Sequence, residues 1–217
     1  MIISPLTQNT DNNVSPRTSR GAERRALLID VATELFLKFG YDNVSLDQIV
    51  EHAGGSKATI YKYFGSKQGL FVAIYQDRCS NFIYQIKIAV YQDDVDIQQR
   101  LSNLLYDLYL IVAEPKNSGL WRLIIQISPN NPELALELYN LGPTQAHKIF
   151  ADFLKEAHER KELHCSDPEQ SAIYFFGFLH DLHWRSLVGL EIKESAEQMK
   201  KTVTYMVERF LTGHRQL

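Results

Sequence analysis

The sequence predicts an all-α chain of about ten helices, and three observations carry that reading. Apolar residues recur at three- and four-residue steps through nearly the whole length, as in Leu101, Leu104, Leu105, Leu108 and Val112. No run of alternating polar and apolar residues is long enough to form a strand. Helix-start chemistry recurs along the chain: a Ser, Asn or Asp followed by proline, or by glutamine three residues on.

With 217 residues, 45% hydrophobic and 23% charged, the chain has enough apolar side chains for a sizeable core. No apolar stretch approaches the ~18 residues of a transmembrane helix, and the polar N-terminus lacks the pattern of a secretory signal. Cys79 and Cys165 are too few for a disulfide framework, which points to a reducing cytoplasm. The net charge of −3 argues against attraction of the whole chain to nucleic acid. Residues 1–70 hold eight Lys/Arg against seven Asp/Glu, and the remainder fifteen against nineteen. A site for a polyanion therefore depends on local clustering near the N-terminal end.

Residues 1–17 are polar enough to predict a disordered arm. A first amphipathic helix is spaced by Ala22, Ala26, Ile29, Thr33, Phe36 and Phe39 and stops at Gly40. Ser45-Leu46-Asp47-Gln48 reads as a capping box. It opens a short helix whose buried face is Leu46, Ile49, Val50 and Ala53, closed by Gly54-Gly55. Ser56 is predicted to cap a third short helix, with Ile60 and Phe64 inward. Gly65-Ser66 breaks the chain again before a long helix from about Lys67 to Tyr91. A further stripe runs through Leu120, Trp121, Ile124 and Ile127. Asn131-Pro132 and Asp167-Pro168 each read as an N-cap with proline at the first helical position. Gly142-Pro143 is predicted to end one helix and start another. One helix is expected from Pro168 to Leu190, and Ser195 with Gln198 forms a second capping box for the last.

Two short helices across a glycine-containing turn form the helix-turn-helix pattern, whose second helix enters the major groove of DNA. Opposite Ile60 and Phe64 lie Lys57, Ala58, Tyr61 and Lys62, flanked by Thr59 and Tyr63. Small residues permit close approach, and lysines reach phosphates or guanine edges. Lys67 opens the next helix, where its ammonium and the free amides favour a phosphate. Arg17 and Arg20 are placed to enter a minor groove. Other chemistries find little support. His180 and His183 with Asp181 and His147 lack the H-E-x-x-H spacing, so no metal site is expected. No nucleophile elbow or phosphate-cradling loop appears, so neither a cofactor nor an enzyme is predicted.

Between Pro168 and Leu190 apolar residues surround the helix, which requires a partner on each side. Phe175, Leu179 and His183, with a seam of Met199, Val203, Met206 and Phe210, are the predicted dimer interface. Phe82, Trp121, Phe150, Tyr174, Phe178 and Trp184 are expected to converge, either as a solid aromatic core or around a cavity in which Tyr139, His147 and Asp181 orient a ligand.

From Ser45 to Lys67, through Ala53-Gly54-Gly55-Ser56 and Thr59-Ile60-Tyr61-Lys62-Tyr63-Phe64, the chain resembles the DNA-binding signature of the TetR/AcrR family of bacterial regulators. Phe36-Leu37-Lys38-Phe39-Gly40-Tyr41 is similar to that family's first-helix exit. Pro132-Glu133-Leu134, Gly142-Pro143 and Asp167-Pro168-Glu169 resemble an AefR-like C-terminal domain. The resemblance implies phosphate contacts at Ser45, Thr59, Tyr61, Tyr63 and Lys67, and base approach by Lys57, Ala58 and Lys62. It also implies a DNA-binding domain at 18–66, a regulatory domain at 67–217, and a homodimeric repressor. Such a repressor leaves an inverted-repeat operator when a small apolar or aromatic effector binds, with no membrane partner. A dimeric activator, or a regulator controlled by a protein partner without a small ligand, stays open. Gly55 stands where valine is usual, which predicts a looser turn between the two short helices, and Gly69 where an acid is usual, which puts glycine's backbone freedom into the first turn of the long helix.

Overall fold

The computed structural model describes residues 20–92 and 94–214, and every regular element among them is helical. The predicted arm at 1–17, with Arg17, lies outside the described residues. The helices are α1 (Arg20–Phe39), α2 (Leu46–Ala53), α3 (Lys57–Phe64), α4 (Lys67–Val90), α5 (Ile97–Ala113) and α6 (Pro115–Ile127). They continue as α7 (Pro132–Tyr139), a π turn (Asn140–Thr144), α8 (Gln145–Glu159), α9 (Pro168–Gly177), α10 (His180–Leu187) and α11 (Ala196–Gly213).

Side-chain caps set most of these starts, because the first amides of a helix have no partner within it. In the α2 box Gln48 N–H donates to Ser45 Oγ at 3.2 Å and Ser45 N–H to Gln48 Oε1 at 2.7 Å. The α11 box repeats this with Ser195 and Gln198, at 3.2 and 2.8 Å. Asn131 accepts from Leu134 N–H at 3.1 Å and Asp167 from Gln170 N–H at 3.0 Å, each ahead of its proline. Ser66 caps α4 through Gly69 N–H at 2.9 Å. Ser56 departs from expectation: its hydroxyl pairs with that of Thr59 at 3.2 Å and caps no amide.

Three further departures concern faces and breaks. The buried side of α1 is Leu28, Ile29, Ala32, Thr33, Leu35 and Phe36; Ala22, Ala26 and Phe39 are exposed. At Gly142-Pro143 the chain does not break. It widens into the π turn, which carries a residue without an amide hydrogen while the axis continues into α8. The single helix expected from Pro168 to Leu190 is two. The Phe178 and Leu179 amides donate only three residues back, to Phe175 and Phe176 at 3.2 and 3.3 Å, tightening the turn between α9 and α10.

Two cores organise the packing. The first joins α1, α2 and α3 to the first half of α4, to α6 and to α7, with Phe36, Ile49, Ile60 and Phe71 fully buried. Phe36, Tyr41 and Phe71 form a ring cluster with centroids 5.2–5.8 Å apart. The second gathers the last turns of α4 with α5, α8, α9, α10 and α11 around Phe150, Phe153, Phe175 and Phe210. Helix α4 belongs to both.

Gly69 acquires a reason here. A Cβ at this position would collide with the carbonyl oxygen of Phe64, the last residue of α3. Glycine lets α3 end directly against the first turn of α4, so this departure from the family pattern tightens the junction. Alanine gains about 1 kcal/mol of helix propensity. The obstacle is backbone, however, so accommodating the methyl group means moving α3. Gly69→Ala should lower stability by about 1–2 kcal/mol net, seen in calorimetry as a Tm fall of roughly 2–8 °C. An unchanged or raised Tm would contradict the contact.

Candidate functional site

Between α2 and α3 the backbone passes through Gly54 and Gly55, with φ of 74° and 85°, in the left-handed region that glycine adopts without strain. Arg24 reaches this turn from α1. Its Nη1 donates to Ala53 O at 2.7 Å and its Nη2 to Gly54 O. A cation thereby satisfies carbonyls left free at the C-terminus of α2. A Cβ on residue 55 would run into the same guanidinium. The turn is therefore tied by Arg24, which corrects the looseness expected from the missing valine.

The turn aims α3 outward. Ile60 is buried and Phe64 half-buried beneath Arg25, whose guanidinium lies 5.4 Å from the ring centre. Lys57, Ala58, Tyr61 and Lys62 share one exposed face, with Thr59 half-buried beside it. Tyr63 turns toward the first core, its ring 6.0 Å from that of Phe64. Lys57 Nζ is 3.0 Å from Asp47 on α2. Among the described residues Lys62 has no ion pair. Lys67 lies with its ammonium 4.3 Å above the Tyr41 ring and 3.5 Å from Asp42 O. Burial lowers its pKa, opposed by the nearby Asp42. Ser45 is exposed at the start of α2. The structure thus brings these side chains together, with Lys57, Lys62 and Tyr61 outermost and Lys67 half-buried.

A cavity of about 230 Å³ lies against the middle of α4, walled by α4, α5, α6, the π turn and α10. Tyr75, Arg78, Cys79 and Phe82 line it from α4, a spacing that puts them on one helical face. Trp121 stands edge-on to Tyr75 (6.1 Å) and to His183 (5.6 Å). Gly142 closes the floor, where a Cβ would sit 2.7 Å from Tyr75 Oη and 3.0 Å from Cys79 Sγ. At the rim Arg78 pairs with Glu114 at 3.7 Å. Burial pushes the Cys79 thiol up to about 11 and also raises the Tyr75 hydroxyl. Burial, with His180 adding to it, lowers His183, so its imidazole is neutral near pH 7.

Of the residues expected to line a ligand cavity, only Phe82 and Trp121 do so. Phe150 is fully buried and stacked on Phe175 at 4.5 Å, in a filled aromatic core. Phe178 is half-buried beside that core. Tyr174, Trp184 and Tyr139 face solvent, at 64%, 60% and 48% exposure. Asp181 is exposed near Arg185, and His147 lies against Phe176 at 5.2 Å. The expected dimer residues are displaced similarly. Phe175, Leu179, Val203 and Phe210 are buried within this chain, Met199 and Met206 pack against them, and His183 lines the cavity. The break at Phe178-Leu179 turns α10 relative to the face extrapolated from α9 and so brings His183 to the cavity, while Phe175 and the α11 seam pack into this chain's own second core. The apolar surface left on these helices is Ile173, Tyr174, Trp184, Val188 and Tyr205, with Leu190 just beyond. Arg24, Tyr75, Arg78 and Glu114 had no place in the sequence-based site. The i, i+3, i+4, i+7 spacing on α4 was the signal available for three of the cavity residues.

Comparison with known proteins agrees with this geometry. Residues 28–74 match the family of bacterial regulatory proteins of the tetR type, and residues 99–215 match the AefR-like transcriptional repressor C-terminal domain. The HTH-type transcriptional activator FasR of Mycolicibacterium smegmatis is 34% identical over 97 residues, 45% of this chain and 42% of FasR. The chain thus spans less than half of FasR's length. A TetR-family regulator from Mesorhizobium loti superposes with a TM-score of 0.82 at 24% identity, covering 92% of this chain and all of that one. The flavonoid-responsive regulator FrrA superposes at 0.76 with 26% identity, covering 89% and 97%. These are regulators, not enzymes.

The Asp47–Lys57 pair makes the charge of the α3 face adjustable. Asp47→Asn should free Lys57 and strengthen binding to non-specific duplex DNA severalfold, steepening the log–log salt slope by about 0.9 for one further phosphate neutralised. Filter binding across a salt series measures both. An unchanged slope would show that Lys57 touches no phosphate even in a non-specific complex, where the bases it is expected to approach are not read.

Proposed function

The chain belongs to the TetR family of bacterial transcriptional regulators, and from that premise we propose that it is a homodimeric cytoplasmic repressor released from its operator by a small, largely apolar ligand. The observation that carries this reading is the position of the cavity. Its wall is α4, the helix whose first turn abuts the end of α3. In this reading residues 18–66 supply the DNA contacts and residues 67–217 regulate them. Lys57, Ala58 and Lys62 approach bases; Ser45, Thr59, Tyr61, Tyr63 and Lys67 hold phosphates.

A ligand among Tyr75, Arg78 and Trp121 presses on α4 and α6 together. Helix α6 packs on α1, where a Cβ at Gly119 would lie 2.6 Å from Leu37. Displacement at the cavity thus reaches the helix-turn-helix by two routes. In a dimer, small tilts of α4 change the separation of the two α3 helices, and a mismatch with the half-site spacing costs affinity. The apolar surface at Tyr174, Trp184 and Val188 supports the dimer, since exposed patches of this kind mark association sites. The flavonoid response of FrrA supports an aromatic effector. The activator FasR favours a second reading, in which the same dimer activates transcription. No helix among the described residues is long and apolar enough to cross a membrane.

Selection from random duplex DNA tests the reading. The expected product is an inverted repeat with half-site centres one helical turn, about 34–36 Å, or a multiple of it apart. Sedimentation should give twice the mass of the chain. Trp184→Glu, exposed in the single chain, should shift that species toward monomer and weaken operator binding without unfolding it. A monomer that binds a single unrepeated half-site would contradict the proposal.

A further inference from the structure

The cavity lining narrows the chemistry of what it holds, an inference that rests on reading this cavity as the effector site. Arg78 and Glu114 are the only charged side chains that line it among the described residues. They pair with each other at the rim, so the entrance offers no net charge to a ligand. The interior is uncharged. The Cys79 thiol and Tyr75 hydroxyl hold their protons, and His183 is neutral. Much of the polar lining is already committed to the protein. Ser118 Oγ donates to Pro115 O and Ser186 Oγ to Val112 O, at 3.0 and 3.1 Å. The Asn117 amide donates to Ile111 O and to Glu114.

What remains free is specific. The His183 imidazole, the Trp121 indole N–H and the Asn81 amide have no hydrogen-bond partner among the described residues, and all three line the cavity, Asn81 from an exposed position. Phe82, Tyr75 and Trp121 supply ring faces and edges around them. A volume of about 230 Å³ falls below the ~300–1,000 Å³ of pockets for drug-sized ligands. A charged group taken into such a lining would lose its water without gaining a counter-charge. We propose that the cavity takes an uncharged aromatic molecule of one or two rings bearing a hydroxyl or carbonyl group, packed against Trp121 and hydrogen-bonded by His183.

Three 2-substituted naphthalenes test this on the full chain near neutral pH: 2-naphthol, 2-naphthoate and the 2-naphthylmethylammonium ion, with naphthalene as the probe lacking a polar group. Calorimetric titration should show 2-naphthol binding at least tenfold more tightly than either ion. His183→Phe should weaken 2-naphthol about tenfold while leaving naphthalene unchanged, and His183→Gln, which keeps a hydrogen-bonding group, should restore most of the loss. Trp121→Ala should weaken all four. Tighter or equal binding of either ion, no binding of any probe, or an equal loss of 2-naphthol and naphthalene in His183→Phe would overturn the proposal. Operator binding followed by anisotropy separates the two claims. If 2-naphthol binds in the expected order yet leaves operator affinity unaltered, the ligand class stands and the effector reading fails.

Discussion

The continuity of α4 constrains the rest of the molecule, because one uninterrupted helix is buried in two different cores. Leu70, Phe71 and Ile74 lock its first turns among α1, α2 and α3, while Ile86, Ala89 and Val90 lock its last turns among α5, α8 and α11. A helix held at both ends moves as a rod, so displacement of its middle is felt at its start. The middle is where Tyr75, Arg78, Cys79 and Phe82 meet the cavity. The start is where Ser66 caps the helix and Gly69 admits the Phe64 carbonyl. Helix α6 adds a second link, since Asn117, Ser118 and Trp121 line the cavity while Gly119 meets Leu37 of α1.

Helix ends in this fold are closed by arginines from elsewhere in the chain. Arg24 closes α2, and Arg100 does the same for α4, donating to Val90 O at 3.4 Å while it pairs with Glu162 and lies 5.4 Å from the Phe153 ring centre. Arg100 is buried while Glu162 reaches solvent, so losing Glu162 would leave a guanidinium out of water with only the Val90 carbonyl to accept from it. These arginines therefore act less as glue than as locks. They make alternative packings of α2 and α4 expensive and fix the positions from which the α3 face and the cavity are presented.

The local chemistry of the fold was legible in the sequence, and the long-range chemistry was not. Capping boxes at Ser45 and Ser195 and the caps at Asn131 and Asp167 depend on residues three apart, so spacing alone reveals them. The outward face of α3 followed from its angular distribution. The face of α10 did not, because a tightened turn at Phe178-Leu179 rotates what is extrapolated across it, and spacing alone does not tell an apolar seam on α9 or α11 that packs on its own core from one that packs on a partner. Aromatic abundance also misled: Phe150, Phe175 and Phe210 fill a core, whereas the cavity is built by Gly142 and by residues of α4. Nothing local marks Arg24 as the partner of carbonyls thirty residues away.

If α4 and α6 transmit occupancy of the cavity to the α3 face, the two sites share one coupling free energy, and linkage makes that coupling reciprocal. The direct measurement is the affinity of a cavity ligand such as 2-naphthol for the free protein and for the protein saturated with operator, beside the operator affinity with and without that ligand. The account predicts that each weakens the other by the same factor, about 5–150-fold. Ligand binding of identical affinity in the free and operator-bound protein would contradict it.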